Sequence, residues 1–260
     1  MINKKIISAN FFPAPLAYPV LHRSVDTDET SQIIELFFPD DYETVVPKGV
    51  ILYFSGDGGN TPEPDPSPAG TAATNLGYIW AKCRYPSVNP TGITLQFLSP
   101  VHKTANQLYE VQWAIEVLKQ VITYPGGIDY ILAGHSRGSM DVVGWSEMSL
   151  GEFKDNHHLV KCIISNSPAG TNIEGGYLGA YNEVRGVWDH WNSSQHPTLC
   201  TNGAGDLTNL TRPILERAWI GMDNPFLQFK IVGDETYLHS WPSNHWGEWV
   251  SLIVDFHEGL

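Results

Sequence analysis

Apolar residues along the chain recur with two periods, and the two alternate. Gln32-Ile-Ile-Glu-Leu-Phe-Phe38 and Gly49-Val-Ile-Leu-Tyr-Phe54 are short runs rich in β-branched and aromatic residues, the pattern of strands. Ile93-Thr-Leu-Gln-Phe-Leu98, Leu159-Val-Lys-Cys-Ile-Ile164, Thr198-Leu-Cys200 and Phe226-Leu-Gln-Phe-Lys-Ile-Val232 read the same way. Asp129-Tyr-Ile-Leu-Ala133 is continuously apolar after its first residue, as a strand covered on both faces should be. Helical patterns lie between these runs. From Thr104 to Ile122, Leu108, Val111, Ala114 or Ile115, and Leu118 recur at helical spacing until Pro125-Gly126-Gly127 stops the run. Ala72 to Ala81, Arg137 to Leu150 and Trp246 to His257 are further predicted helices. Between Gly56 and Gly70, prolines stand at every second position from Pro62 to Pro68, which predicts an extended, exposed excursion.

Strands alternating with helices at this spacing predict an α/β fold, with a mainly parallel central sheet flanked by helices on both faces. The opening strands have no helix between them, so the front of the sheet is expected to be antiparallel. Residues 166–196 break the rhythm. They hold Gly170, Gly175, Gly176 and Gly179 among several aromatics, which predicts an insertion above the sheet. No linker composition interrupts the chain, so residues 1–260 read as a single domain.

Charge narrows the partners. Lys plus Arg number 15 and Asp plus Glu 28, a net charge of −13, which repels phosphate backbones and anionic membranes. The expectation is a small-molecule substrate and no nucleic acid. No stretch approaches the roughly 18 apolar residues of a membrane span. Of the 3 cysteines, Cys162 and Cys200 sit inside apolar runs as small core residues, and a disulfide-stapled fold is excluded. Met1-Ile-Asn-Lys-Lys5 begins like a signal peptide. However, Pro13, Pro15 and Pro19 interrupt the apolar run that follows, and no small-residue cleavage site appears. A cytoplasmic location is the expectation, although a chain already trimmed of its signal would read the same way.

Chemistry enters at Gly134-His135-Ser136-Arg137-Gly138, the pattern G-x-S-x-G. A buried strand is predicted to end at Ala133 and a helix to start at Arg137, so the serine falls on a sharp strand-to-helix turn. Side chains at the two glycines would collide with the neighbouring strand and helix. A serine hydroxyl is a weak nucleophile and needs a base in reach and an acid to orient that base. With this turn the chain order is serine, acid, histidine. His135 is adjacent on the turn and is set aside as the base, and His157-His158 lie in a polar loop and read as solvated. His239 and His245 both follow the last predicted strand. His239 is favoured, because His245 leads straight into the closing helix. For the acid, Asp206 in Gly203-Ala-Gly205-Asp206 follows the strand ending near Cys200; a helix N-cap is its plainer reading. Asp234 is the competitor, only five residues before His239. Ser55-Gly56-Asp57-Gly58-Gly59 follows the strand at 49–54, so the amides of Asp57 and Arg137 are the candidate oxyanion donors.

These features resemble the α/β-hydrolase superfamily over roughly residues 30–258. His239-Ser240-Trp241 is also similar to the histidine loop of the esterase-D-like branch, which includes feruloyl and acetyl-xylan esterases and mycolyltransferases. Two departures stand out. Ser55-Gly56 replaces the usual His-Gly before the oxyanion residue, and a second histidine follows His239. The resemblance implies carboxylic ester cleavage through an acyl-enzyme, with Ser136, His239 and Asp206 as the triad and no cofactor. Acyl transfer or thioester cleavage on the same triad is the alternative, and a non-catalytic binding module on this scaffold is one of another class. There is no H-E-x-x-H and no Cys-x-x-Cys, so no metal is expected. Trp188 and Trp191 fall in the insertion, and Trp241, Trp246 and Trp249 crowd the histidine loop. Trp188 and Trp241 are the candidate substrate platform, with core packing as the competing reading. Trp113 and Trp145 read as helix packing.

Overall fold

The structure is a computed structural model, and it describes residues 3–9, 32–56, 63–64, 66–84, 111–112, 114–148, 154–167, 196–206 and 225–260. The strand expected at 93–98, the start of the helix expected at 104–122, Trp113, and nearly all of the insertion expected at 166–196 lie outside the described residues.

Among the described residues eight strands form one sheet: β1 (Asn3–Ala9), β2 (Gln32–Phe38), β3 (Val50–Phe54), β4 (Ile79–Arg84), β5 (Tyr130–His135), β6 (Val160–Asn166), β7 (Thr198–Gly203) and β8 (Leu227–Val232). Their order across the sheet is β1-β2-β4-β3-β5-β6-β7-β8. β1 with β2 and β2 with β4 are antiparallel, and the pairings from β4 onward are parallel. The expected parallel sheet with an antiparallel front is therefore present. β1 was not anticipated, because its Lys4-Lys5 pair hides the apolar pattern.

The predicted helix over 72–81 is corrected. Helix α1 (Pro68–Asn75) ends early and β4 follows. Ser67 caps α1 by accepting from the Gly70 amide. At the other end Gly77 takes φ +84, while its amide and that of Tyr78 donate to Thr74 and Ala73. This closure ends the helix at a left-handed glycine, with Tyr78 inserting into the core two residues beyond the cap. The proline excursion is exposed at Pro64, Pro66 and Pro68, as expected, but residues between the prolines anchor it to the sheet. Glu63 and Ser67 are buried, Lys82 Nζ on β4 lies 3.1 Å from Glu63 Oε1, and Ser67 Oγ donates to Glu63 Oε2 at 2.8 Å. The Glu63 amide donates to Glu35 Oε2 on β2. These charges tie the segment after β3 to the antiparallel front of the sheet.

Alternate residues of the central strands build two apolar layers. Leu52, Phe54, Leu132 and Ile163 face one side, under the helical residues 111–112 and 114–121 (α2) and helix α3 (Arg137–Met148). Ile51, Tyr53, Ile131, Cys162 and Ile164 face the other, under α1 and the last helix. Among the described residues, α4 (Lys154–His157) precedes β6, and α5 (Trp241–Asn244) and α6 (Trp246–Glu258) follow β8. α6 buries Trp249, Val250, Ile253 and Val254, a stripe at helical spacing. Its Trp249 meets Tyr53 edge-on at 5.3 Å. Cys83, Cys162 and Cys200 are buried and unbridged. Among the described residues no helix is long and apolar enough to cross a membrane.

Candidate active site

β5 ends at His135, and Ser136 follows with φ 54, a left-handed conformation that costs a non-glycine residue about 1–3 kcal/mol. Both glycines of the motif are required by close approach. A Cβ on Gly134 would overlap the Gly138 carbonyl of α3, and one on Gly138 would overlap the Phe54 carbonyl at the end of β3. The turn is thus wedged between helix and strand, and the Ser136 amide is tied across to the Asn166 carbonyl at 2.9 Å.

The Ser136 hydroxyl meets His239 Nε2 at 2.9 Å. On the far side of that ring, Nδ1 lies 3.0 Å from Asp206 Oδ2, and the Asp206 side chain is 0% exposed. A carboxylate only accepts, so Nδ1 carries the proton and Nε2 offers its lone pair to the serine O–H. Such an arrangement can take the serine proton onto an imidazole whose positive form a buried carboxylate stabilises.

Asp206 and His239 come from different loops, and glycines interlock those loops. A Cβ on Gly203 would overlap the Tyr237 carbonyl, and one on Gly205 the Glu235 carbonyl. The Gly205 amide donates to Tyr237 O at 3.1 Å. Gly233, at φ +68, leaves room for the Tyr237 ring. The Gly-Ala-Gly before Asp206 serves this contact between the two loops. Asn166 joins them to the nucleophile turn: its Oδ1 accepts from Thr201 Oγ1 at 2.6 Å and from Trp241 Nε1 at 3.0 Å. Asn166 was not anticipated as a site residue; only its place at the end of a strand beside the motif strand could have pointed to it.

The competing candidates lie elsewhere. Asp234 accepts from the Thr236 amide and hydroxyl, at 2.9 and 2.6 Å, closing a turn after β8. Those bonds hold its carboxyl below the ordinary carboxylate range. His245 starts α6 and stacks on Tyr237 at 4.2 Å. His157, expected in solvent, is corrected: it stacks on buried His196 at 3.9 Å. Trp241 is also corrected. It is 1% exposed and turns its N–H to Asn166, so it packs beneath the histidine loop rather than offering substrate a face. Trp249 is buried in the core and Trp246 packs beside it. Trp145 is buried, with its N–H on Gln112. Arg137 opens α3, and the first amides of a helix have no intrahelical acceptor. Asp57, Trp188 and Trp191 lie outside the described residues. Among the described residues no group of three or more His, Cys, Asp or Glu side chains is placed to hold a metal ion.

No protein-family model matches the chain, and no curated protein matches it significantly. Solved structures do. A dienelactone hydrolase from Anabaena variabilis superposes with TM-score 0.63 at 12% identity, covering 99% of this chain and 98% of that one. Est1E from Butyrivibrio proteoclasticus gives 0.57 at 14%, covering 89% and 95%. An S-formylglutathione hydrolase from Agrobacterium tumefaciens gives 0.58 at 14%, covering 98% and 94%. With the strand order and the serine turn between β5 and α3, this likeness establishes an α/β-hydrolase fold for the chain.

Proposed function

We propose that this protein is a serine hydrolase, a single domain that cleaves carboxylic esters of small molecules through an acyl-enzyme. The observation that carries the reading is the unbroken hydrogen-bonded chain from Ser136 through His239 to Asp206. Ser136 Oγ attacks the ester carbonyl as its proton passes to His239 Nε2, and Asp206 holds the resulting imidazolium. The tetrahedral oxyanion falls to the amides of Arg137 and Asp57. As the carbon–oxygen bond breaks, His239 returns the proton to the leaving alkoxide. Water then attacks the acyl-enzyme by the reverse relay and frees the acid. Besides the ester and water, these steps use only the chain's own residues.

Est1E has a structure with ferulic acid bound, and the other neighbours are named for hydrolysis of a dienelactone and of S-formylglutathione. They support an ester substrate of the kind the esterase-D-like histidine loop implies. The test is labelling with a fluorophosphonate probe, followed by a panel of p-nitrophenyl esters of rising chain length, feruloyl esters and acetylated sugars. The wild-type protein is expected to label at Ser136 and to hydrolyse at least one class, whereas Ser136→Ala does neither. A folded protein that does not label would overturn the reading in favour of a binding module.

A further inference from the structure

His135 was set aside as a base because it neighbours Ser136 on the turn, yet its ring lies inside the site. His135 Nε2 meets the backbone carbonyl oxygen of His239 at 2.7 Å, and the two imidazoles lie 5.0 Å apart. A carbonyl only accepts, so His135 Nε2 carries the proton and donates. His135 Nδ1 then holds the lone pair and faces the end of β3: a Cβ on Gly56 would stand 3.5 Å from it and 2.9 Å from the Ser136 Cβ.

In a continuing strand, consecutive side chains point to opposite faces and could not meet one partner. The left-handed turn at Ser136 removes that restriction. It brings the Ser136 hydroxyl to the ring of His239 and leaves the His135 ring on the His239 backbone. The histidine loop needs such a tie. Leu238 and Ser240 on either side of His239 are exposed, and the next buried anchor along the loop is Trp241. A carbonyl held from the central strand fixes the peptide plane after His239, and with it the direction in which the imidazole leaves the backbone.

We propose that His135 is a positioning residue: by donating from Nε2 to the His239 carbonyl, it holds the catalytic imidazole in register with Ser136 and Asp206. This rests on the reading of Ser136, His239 and Asp206 given above. Withdrawal from water pulls the His135 pKa down to about 4, so the ring stays neutral and keeps its lone pair at Nδ1 across the range where His239 must work.

The experiment compares wild type with His135→Phe, which keeps a ring and loses the donor, and His135→Gln, whose amide N–H can stand in for Nε2–H. The readouts are the second-order rate of fluorophosphonate labelling, kcat and KM on the best ester found, and the downfield proton resonance of the Asp206–His239 hydrogen bond. His135→Phe is expected to lower kcat and the labelling rate about 10- to 100-fold, the scale of a misplaced catalytic group, with KM within about twofold. It is also expected to broaden or shift the downfield resonance. His135→Gln is expected to recover most of both rates. Rates are compared only between variants whose melting temperatures match wild type within a few degrees, and His135→Met replaces His135→Phe if the latter unfolds early. Equal labelling of wild type, His135→Phe and His135→Met overturns the proposal while leaving the triad intact, as does equal loss in His135→Gln. Wild-type protein that does not label at all overturns the triad itself.

Discussion

Among the described residues two pairs of histidines lie in contact, and they are wired differently. At the carboxyl end of the sheet, His135 and His239 are 5.0 Å apart, and His239 turns its far nitrogen to the buried carboxylate of Asp206. Under α3, His157 and His196 stack at 3.9 Å, and His196 meets the Ser146 hydroxyl at 2.8 Å and the His157 carbonyl at 3.3 Å. Burial holds one member of each pair, His135 and His196, down near a pKa of about 4. The pairs differ in what receives a proton on the second ring. His239 has a carboxylate waiting, so a positive charge there is stabilised. The bonds seen around the His157–His196 stack come from neutral groups, so charge there is opposed by burial and by the other ring. On the proposed mechanism the first pair serves proton transfer, whereas the second pair stacks under α3.

The largest expected effect tests the relay. Ser136→Ala should lower ester turnover by about 10⁴- to 10⁶-fold with little change in melting temperature. Retention of a tenth of wild-type activity would remove the serine from its role. Next comes the carboxylate on which the comparison rests. Asp206→Asn should lower kcat by about 10³- to 10⁴-fold, because the imidazolium loses its partner and the tautomer is no longer fixed. Asp234→Asn, whose carboxylate only closes a turn, should cost at most a few-fold. Steady-state kinetics on both variants would reveal a reversal.

The third prediction concerns the packing pair. A histidine in the unfolded chain titrates near 6.5, whereas His196 in the fold titrates at about 4. Between those values the unfolded chain binds a proton that the folded chain refuses. The stabilisation is therefore complete above about pH 6.5 and drains away as pH falls toward 4, by at most about 3 kcal/mol. Urea unfolding at pH 7 and pH 4.5 should show this loss in wild type and a smaller loss in His196→Gln. A variant that loses as much as wild type would mean the acid sensitivity lies elsewhere. The smallest effect is expected at His245, and it separates the two late histidines. His239→Ala should remove nearly all activity, while His245→Ala, which takes away a stack on Tyr237, should cost less than about tenfold in kcat/KM.

The serine turn was legible because its constraints are local: a buried strand, two glycines and a helix start within a few residues. That Asp206 and His239 should meet beside Ser136 was expected from their order along the chain, and the reason they meet was not legible. Gly203 and Gly205 read as loop glycines until Tyr237 and Glu235 are seen lying across them. β4 was hidden because Ala72 and Ala73 extend a helical reading, and because Lys82 interrupts the apolar run. Lys82 is tolerated there only because Glu63, distant in the sequence pattern, comes back to meet it. Trp241 was misjudged for a similar reason. An aromatic beside a candidate catalytic histidine has the same sequence whether it faces substrate or, as here, donates inward to Asn166.

The separation of the three residues also has a consequence in time. Ser136 precedes His239 by 103 residues, and Asp206 precedes it by 33. Chains emerge from synthesis at about 5–20 residues per second, so a nascent chain carries Ser136 for roughly 5–20 s before His239 is made. Throughout that interval the hydroxyl is an ordinary alcohol. On the proposed mechanism, reactivity waits until the histidine loop, which follows β8, has joined the end of β5.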